Sequence, residues 1–146
     1  MYESRLEPRV FLIAQPTVAR GGRLPDLRPL AEHGAIHVLV PAGDRPTFRP
    51  RQTFELISRR LRDQEYDPKV DMLAWAGGDT LAAVLTGIAL ADLGVEELLW
   101  LRYERGRDPR TGERVEEGSR YTPIQVTLTL PEHQLDLFYN HHTKED

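Results

Sequence analysis

The residues best suited to chemistry form the run Trp75-Ala76-Gly77-Gly78-Asp79-Thr80. Met72–Ala76 is an apolar run of strand length, and after Asp79-Thr80 the apolar residues Leu81, Val84, Leu85, Ile88 and Ala89 recur at helical spacing as far as Gly94. A strand, a glycine turn and a helix are expected. Glycines let a backbone turn tightly and approach a ligand, and a helix start offers unpaired N–H groups and the positive end of its dipole. Gly77, Gly78, Asp79 and Thr80 are therefore candidates for holding a phosphate or a carboxylate. They also have a plainer role, with Asp79 or Thr80 as the N-cap and the glycines only making the turn. Gln15 and the arginines Arg20 and Arg23, which flank Gly21-Gly22, follow another apolar run and are candidates for the same anion. The bland alternative is that both arginines are solvated loop residues.

Other routes to chemistry are poorly supplied. The chain has no cysteine, no Gly-Lys-[Ser/Thr] and no GxGxxG. His33, His37, His133, His141 and His142 show no metal-ligand spacing, and Ser4, Ser58 and Ser119 sit in no nucleophile elbow. No catalytic residue and no metal ligand is assigned, and the reading leans away from an enzyme. No cofactor is expected, with a nucleotide or phosphate left open.

Composition sets the bounds. A chain of 146 residues, 40% hydrophobic and 29% charged, is expected to form one globular domain over 1–146, with 139–146 a frayed tail. No apolar run reaches membrane-spanning length and the first residues carry no apolar leader, so a soluble, cytoplasmic protein without membrane contact is expected. A net charge of −4 makes nucleic acid a poorer partner than protein.

The elements that must position these residues alternate. Val10–Ala14 and Ile36–Val40 read as buried strands, with a short helix over Leu27–His33 between them, Pro29 in its first turn and Gly34 as its left-handed stop. Pro50 opens an amphipathic helix whose stripe is Phe54, Ile57 and Leu61, leaving Arg59, Arg60 and Arg62 on a solvated face, and Pro68 ends it. After the glycine turn and its helix, Glu97–Glu104 is a fourth strand. Thr122–Leu130, where Ile124, Val126, Leu128 and Leu130 alternate with polar residues, is its hairpin partner. This order implies an α/β fold with a three-layer, doubly wound, mostly parallel sheet of order 2-1-3-4, Rossmann-like or flavodoxin-like, and a C-terminal antiparallel strand at one edge. Strands one and three would then be neighbours, and their loops would wall a crevice at the carboxyl edge.

Two resemblances bear on function. Gly77-Gly78-Asp79-Thr80 is similar to the GGDG[ST] signature of the NAD kinase, diacylglycerol kinase and phosphofructokinase group, in which the motif contacts nucleotide phosphates. The glycine between aspartate and threonine is missing here. Trp75–Asp79 (WAGGD) followed by Trp100–Arg105 (WLRYER) resembles small uncharacterised proteins of tailed bacteriophages, which implies a source, and hence the host cytoplasm, without implying a chemistry. The expectation is a non-enzymatic accessory protein that binds a host or phage protein, or itself, through its last strand and hairpin. Arg107, Arg110, Arg114 and Arg120 would contact the partner there, and the alternative is the nucleotide or phosphate crevice. Arg102–Arg105 would either complete the crevice or act as protective edge charges.

Overall fold

The computed structural model describes residues 7–17 and 24–128. Within them lie five strands, β1 (Arg9–Ala14), β2 (Ala35–Val40), β3 (Met72–Ala74), β4 (Glu97–Arg107) and β5 (Arg114–Thr127). Three helices alternate with them, α1 (Arg28–Ala31), α2 (Pro50–Asp63) and α3 (Thr80–Asp92). The fold is mixed α/β and the sheet order is β2-β1-β3-β4-β5. The first four strands are parallel and β5 returns antiparallel to β4.

Apolar runs become the central strands because both of their faces are covered. On one face Phe11, Ile13, Leu39 and Leu73 meet Ile57 and Leu61 of α2 and Ala82, Leu85 and Ala89 of α3. On the other, Val10, Leu12, Met72, Ala74 and Leu101 meet Leu30 of α1 and Tyr121 of β5. Connections of one hand that reverse direction at β1 must place α1 opposite α2 and α3, as is found.

Several expectations are corrected. The first helix is one turn, Arg28–Ala31, with Leu27 as its N-cap and Glu32 as its C-cap, and Gly34 has φ of +151° where a left-handed helical stop was expected. A side chain at Gly34 would collide with the Pro8 carbonyl oxygen, at 2.2 Å from the ideal Cβ. β3 stops at Ala74, so Trp75 and Ala76 already belong to the loop. The buried side of α3 is Ala82, Leu85, Thr86, Ala89 and Leu90, while Val84 and Ile88 are 57% and 52% exposed. Arg60 is not on a solvated face: its Nη1 donates to the Val38 carbonyl at 2.8 Å and the Leu39 carbonyl at 3.3 Å. The hairpin is longer than expected, with β4 reaching Arg107 and β5 starting at Arg114 rather than Thr122. Leu128 is exposed, and Leu130 and the proposed tail 139–146 lie outside the described residues.

One buried charge ties these pieces together. Asp71 is fully buried and accepts from the Arg9 backbone N–H at 3.1 Å and the Asp67 N–H at 2.9 Å, and it pairs with the Arg9 guanidinium at 3.2 Å. Arg9 also donates to the Gln64 carbonyl at the end of α2 and lies 4.9 Å over the Phe11 ring. Removing one member of a buried ion pair leaves the other uncompensated. Asp71→Ala is therefore expected to cost about 3 kcal/mol or more in urea unfolding, and Arg9→Leu with Asp71→Leu to recover part of that loss. A single-variant loss below about 1 kcal/mol would mean the pair contributes little to the fold.

Candidate functional site

At the carboxyl edge of the parallel strands, the end of β1, the loop after β2 and the glycine turn enclose a cleft of about 240 Å³. Gln15, Gly78 and Asp79 line it together, as the strand order requires, and Asp44 and Arg45 from the loop after β2 join them. Gly77 and Thr80 stand outside its lining, and Arg20 and Arg23 lie outside the described residues.

The turn itself is built for internal contacts. Gly77 and Gly78 have φ of +113° and +109°, a region that side chains disfavour. A Cβ on Gly78 would lie 3.0 Å from the Ala14 Cβ, so the close approach is to β1. Asp79 is the N-cap of α3, its Oδ1 accepting from the Leu81 N–H at 3.0 Å. Its Oδ2 accepts from the Thr47 hydroxyl at 2.5 Å and the Thr47 N–H at 3.3 Å, latching the loop after β2 onto the helix. The Thr47 hydroxyl first, and then the Leu81 N–H, hold the Asp79 carboxyl below the usual carboxylate range. The donors that a phosphate would use at this helix start are thus shared with a resident carboxylate, and Asp44 adds a second acid to the wall.

The hairpin arginines separate into three settings. Arg107 and Arg114 are opposite each other in register and line a recess of about 380 Å³ with Tyr103 and Arg105. Arg110 is in the turn, where its N–H donates to Asp108 Oδ1 at 2.8 Å. Arg120 pairs with Glu104 at 3.0 Å, and Arg102 holds the other oxygen of the same carboxylate. The two guanidiniums keep the Glu104 carboxyl below its ordinary range, Arg102 contributing most.

A larger cleft of about 840 Å³ lies on the α1 side of the same edge, lined by Trp75, Ala76, Tyr103, Arg105 and Tyr121 among others. The sequence points to Tyr103 and Arg105 as part of Arg102–Arg105, which would complete the crevice, and gives no role to Tyr121. The available signal is the spacing Tyr103, Arg105, Arg107, which puts alternate residues on one face of a strand. Of the histidines, His33 shares a hydrogen bond of 2.8 Å with the Tyr121 carbonyl and His37 stacks on Phe11, while His133, His141 and His142 are outside the described residues. Among the described residues no group of histidines and carboxylates could hold a metal ion, and no helix is long and apolar enough to cross a membrane.

Comparison with family models, with curated proteins and with solved structures gave no match.

Two outcomes follow from the turn. Gly78→Ala is expected to destabilise by about 1 kcal/mol or more, through its positive φ and the contact with Ala14, as read from chemical denaturation. A neutral substitution would show that the turn relaxes freely. Because the folded state favours the ionised form of Asp79, its stabilising effect is present above about pH 4 and is lost as the pH falls through the lowered value. The melting-temperature advantage of the native protein over Asp79→Asn should shrink between about pH 5 and about pH 2. An advantage that is constant across this range would assign the latch no dependence on charge.

Proposed function

We propose that this chain is a non-enzymatic accessory protein that docks on a protein partner through its edge strand β5 and the β4–β5 hairpin. The single observation that carries this reading is the length of the ribbon. β3 has three residues and meets β4 only at Leu99 and Trp100, whereas the β4–β5 pairing, after a register shift between Glu104 and Gly106, reaches Arg107 and Arg114. The outer half of the hairpin therefore runs beyond the parallel sheet, and an extended two-stranded ribbon is costly to maintain by itself in water. Among the described residues β5 has no strand on its far side; His33 meets the outward Tyr121 carbonyl and Pro123 has no N–H, so a partner strand would pair on either side of these two residues. Arg110 at the tip and Arg120 on the flank would steer an acidic partner, a host or phage protein or a second copy. The tailed-phage source rests on the WAGGD and WLRYER likeness. The finer fold reading, a doubly wound flavodoxin-like sheet, is supported by the helices on both faces and the reversal at β1. For the nucleotide or phosphate reading of the crevice, the support is that Gln15, Gly78 and Asp79 line one cleft.

The test shortens the ribbon without disturbing the sheet. Replacing residues 105–119 by Asn-Gly closes the Glu104–Arg120 pair with a two-residue turn. This variant should keep a cooperative melt, lose any protein that the intact chain captures from a bacterial lysate, and change the oligomeric state if the partner is a second copy. Unchanged partners and an unchanged oligomeric state would overturn the reading.

A further inference from the structure

We propose that the cleft on the α1 side of the carboxyl edge, together with the arginine recess beside it, binds a nucleoside polyphosphate. The base would stack on Tyr103, and the phosphates would lie among Arg105, Arg107 and Arg114. This goes beyond the docking role of the hairpin.

The argument begins from size and position. The larger cleft, about 840 Å³, is within the usual range of small-molecule sites and lies at the carboxyl ends of β3 and β4, where open α/β sheets hold ligands. It shares Tyr103 and Arg105 with the 380 Å³ recess, so the two form one continuous surface with an aromatic end and a cationic end.

The aromatic end is preorganised. Tyr121 is buried and its ring is 5.1 Å from that of Tyr103, tilted by 50°. This fixes Tyr103 while leaving it 45% exposed. A flat ring held on a strand offers stacking area at little entropic cost. Trp75, in the loop directly after β3, borders the same cleft, with its ring packed toward the α2 and α3 core beside Gly78.

The cationic end is the anomaly that calls for a ligand. Arg107 and Arg114 stand opposite each other across the hairpin, where like charges destabilise a sheet. The exposed ion pairs of the described residues engage Arg28, Arg102 and Arg120, leaving Arg105, Arg107 and Arg114 without a described carboxylate. Asp26, the acid on the larger cleft's wall, has its charge met by Arg28 at 2.8 Å. Three guanidiniums around one recess suit a chain of phosphates, each of which accepts forked N–H donors. An inorganic polyphosphate would leave the exposed Tyr103 ring unused, and a nucleoside would leave the arginines unneutralised. A molecule that carries both groups uses the whole surface.

Calorimetric titration of the full chain with ATP, GTP, adenosine, inorganic tripolyphosphate and a single-stranded oligonucleotide, at roughly 0.15 M salt, tests this. ATP or GTP should bind at least about tenfold more tightly than adenosine or tripolyphosphate. Arg107→Gln with Arg114→Gln, both exposed positions, should weaken nucleotide binding about tenfold or more and leave the melting temperature unchanged or higher. Tyr103→Leu, which keeps an apolar contact with Tyr121, should weaken the nucleotide but not tripolyphosphate. The proposal is overturned if neither nucleotide binds at millimolar concentration, if tripolyphosphate binds as well as they do, or if only the oligonucleotide binds. Full affinity in the double arginine variant or in Tyr103→Leu overturns it as well.

Discussion

The fold depends on one charge that has no water around it. Asp71 immediately precedes Met72, and Arg9 immediately precedes Val10, so the ion pair closes the first rung of the β1–β3 pairing, Val10 opposite Met72. That pairing has three rungs, too few for backbone hydrogen bonds alone to select a register. In a strand, a slip of one residue exchanges the two faces, here Phe11 for Leu12 and Leu73 for Ala74. The carboxylate is satisfied only in the observed alignment, with Arg9 donating from its backbone and side chain and Asp67 donating from the turn after α2. Buried ion pairs contribute little net stability when compared with apolar replacements, and their use here is to select a register.

The location of charge on the molecule follows from that frame. Once β1 and β3 are neighbours, the glycine turn packs against Ala14 and the N-terminus of α3 is completed by Asp79 from within the chain. The cleft between the ends of β1 and β2 is therefore mixed, with Asp44 and Asp79 beside Arg45, while the guanidiniums of Arg105, Arg107 and Arg114 gather on the ribbon. It is the arginine end of the sheet edge that adjoins the exposed Tyr103 ring.

What the sequence made legible was whatever burial had written into it. Val10–Ala14 and Ile36–Val40 stand out because both faces of those strands are covered, and the strand order follows from alternation and handedness. The front of β5, Arg114–Arg120, has no buried face and so no apolar period, and its start was placed eight residues too late. The stretch Leu81–Ala91 is apolar on nearly every side, so spacing could not tell that Ala82 and Leu85 face inward and Val84 and Ile88 outward. At the site, Gln15, Gly78 and Asp79 were brought together by topology alone. The pairing of Tyr103 with Tyr121 was not legible because the two come from segments that meet only when the sheet has formed, and a strand-end tyrosine looks the same whether it lines a cleft or faces water.

The two borders of the sheet are unlike. Val40 turns its carbonyl to Gln15 beyond β1, so the Leu39 carbonyl points away from the sheet, and Arg60 reaches over from α2 to occupy it. A strand arriving beside β2 would meet a guanidinium where it needs an acceptor. The β5 border is guarded in another way, since the outward-facing Tyr121 carbonyl is met by His33 Nε2 at 2.8 Å and Pro123, two residues on, has no N–H to offer. Both borders are thus partly closed by residues of the same chain, and strand addition at β5 is confined to the stretches on either side of Tyr121–Pro123. Open-ended edge-to-edge stacking, the route to fibres, is hindered on both sides of the sheet.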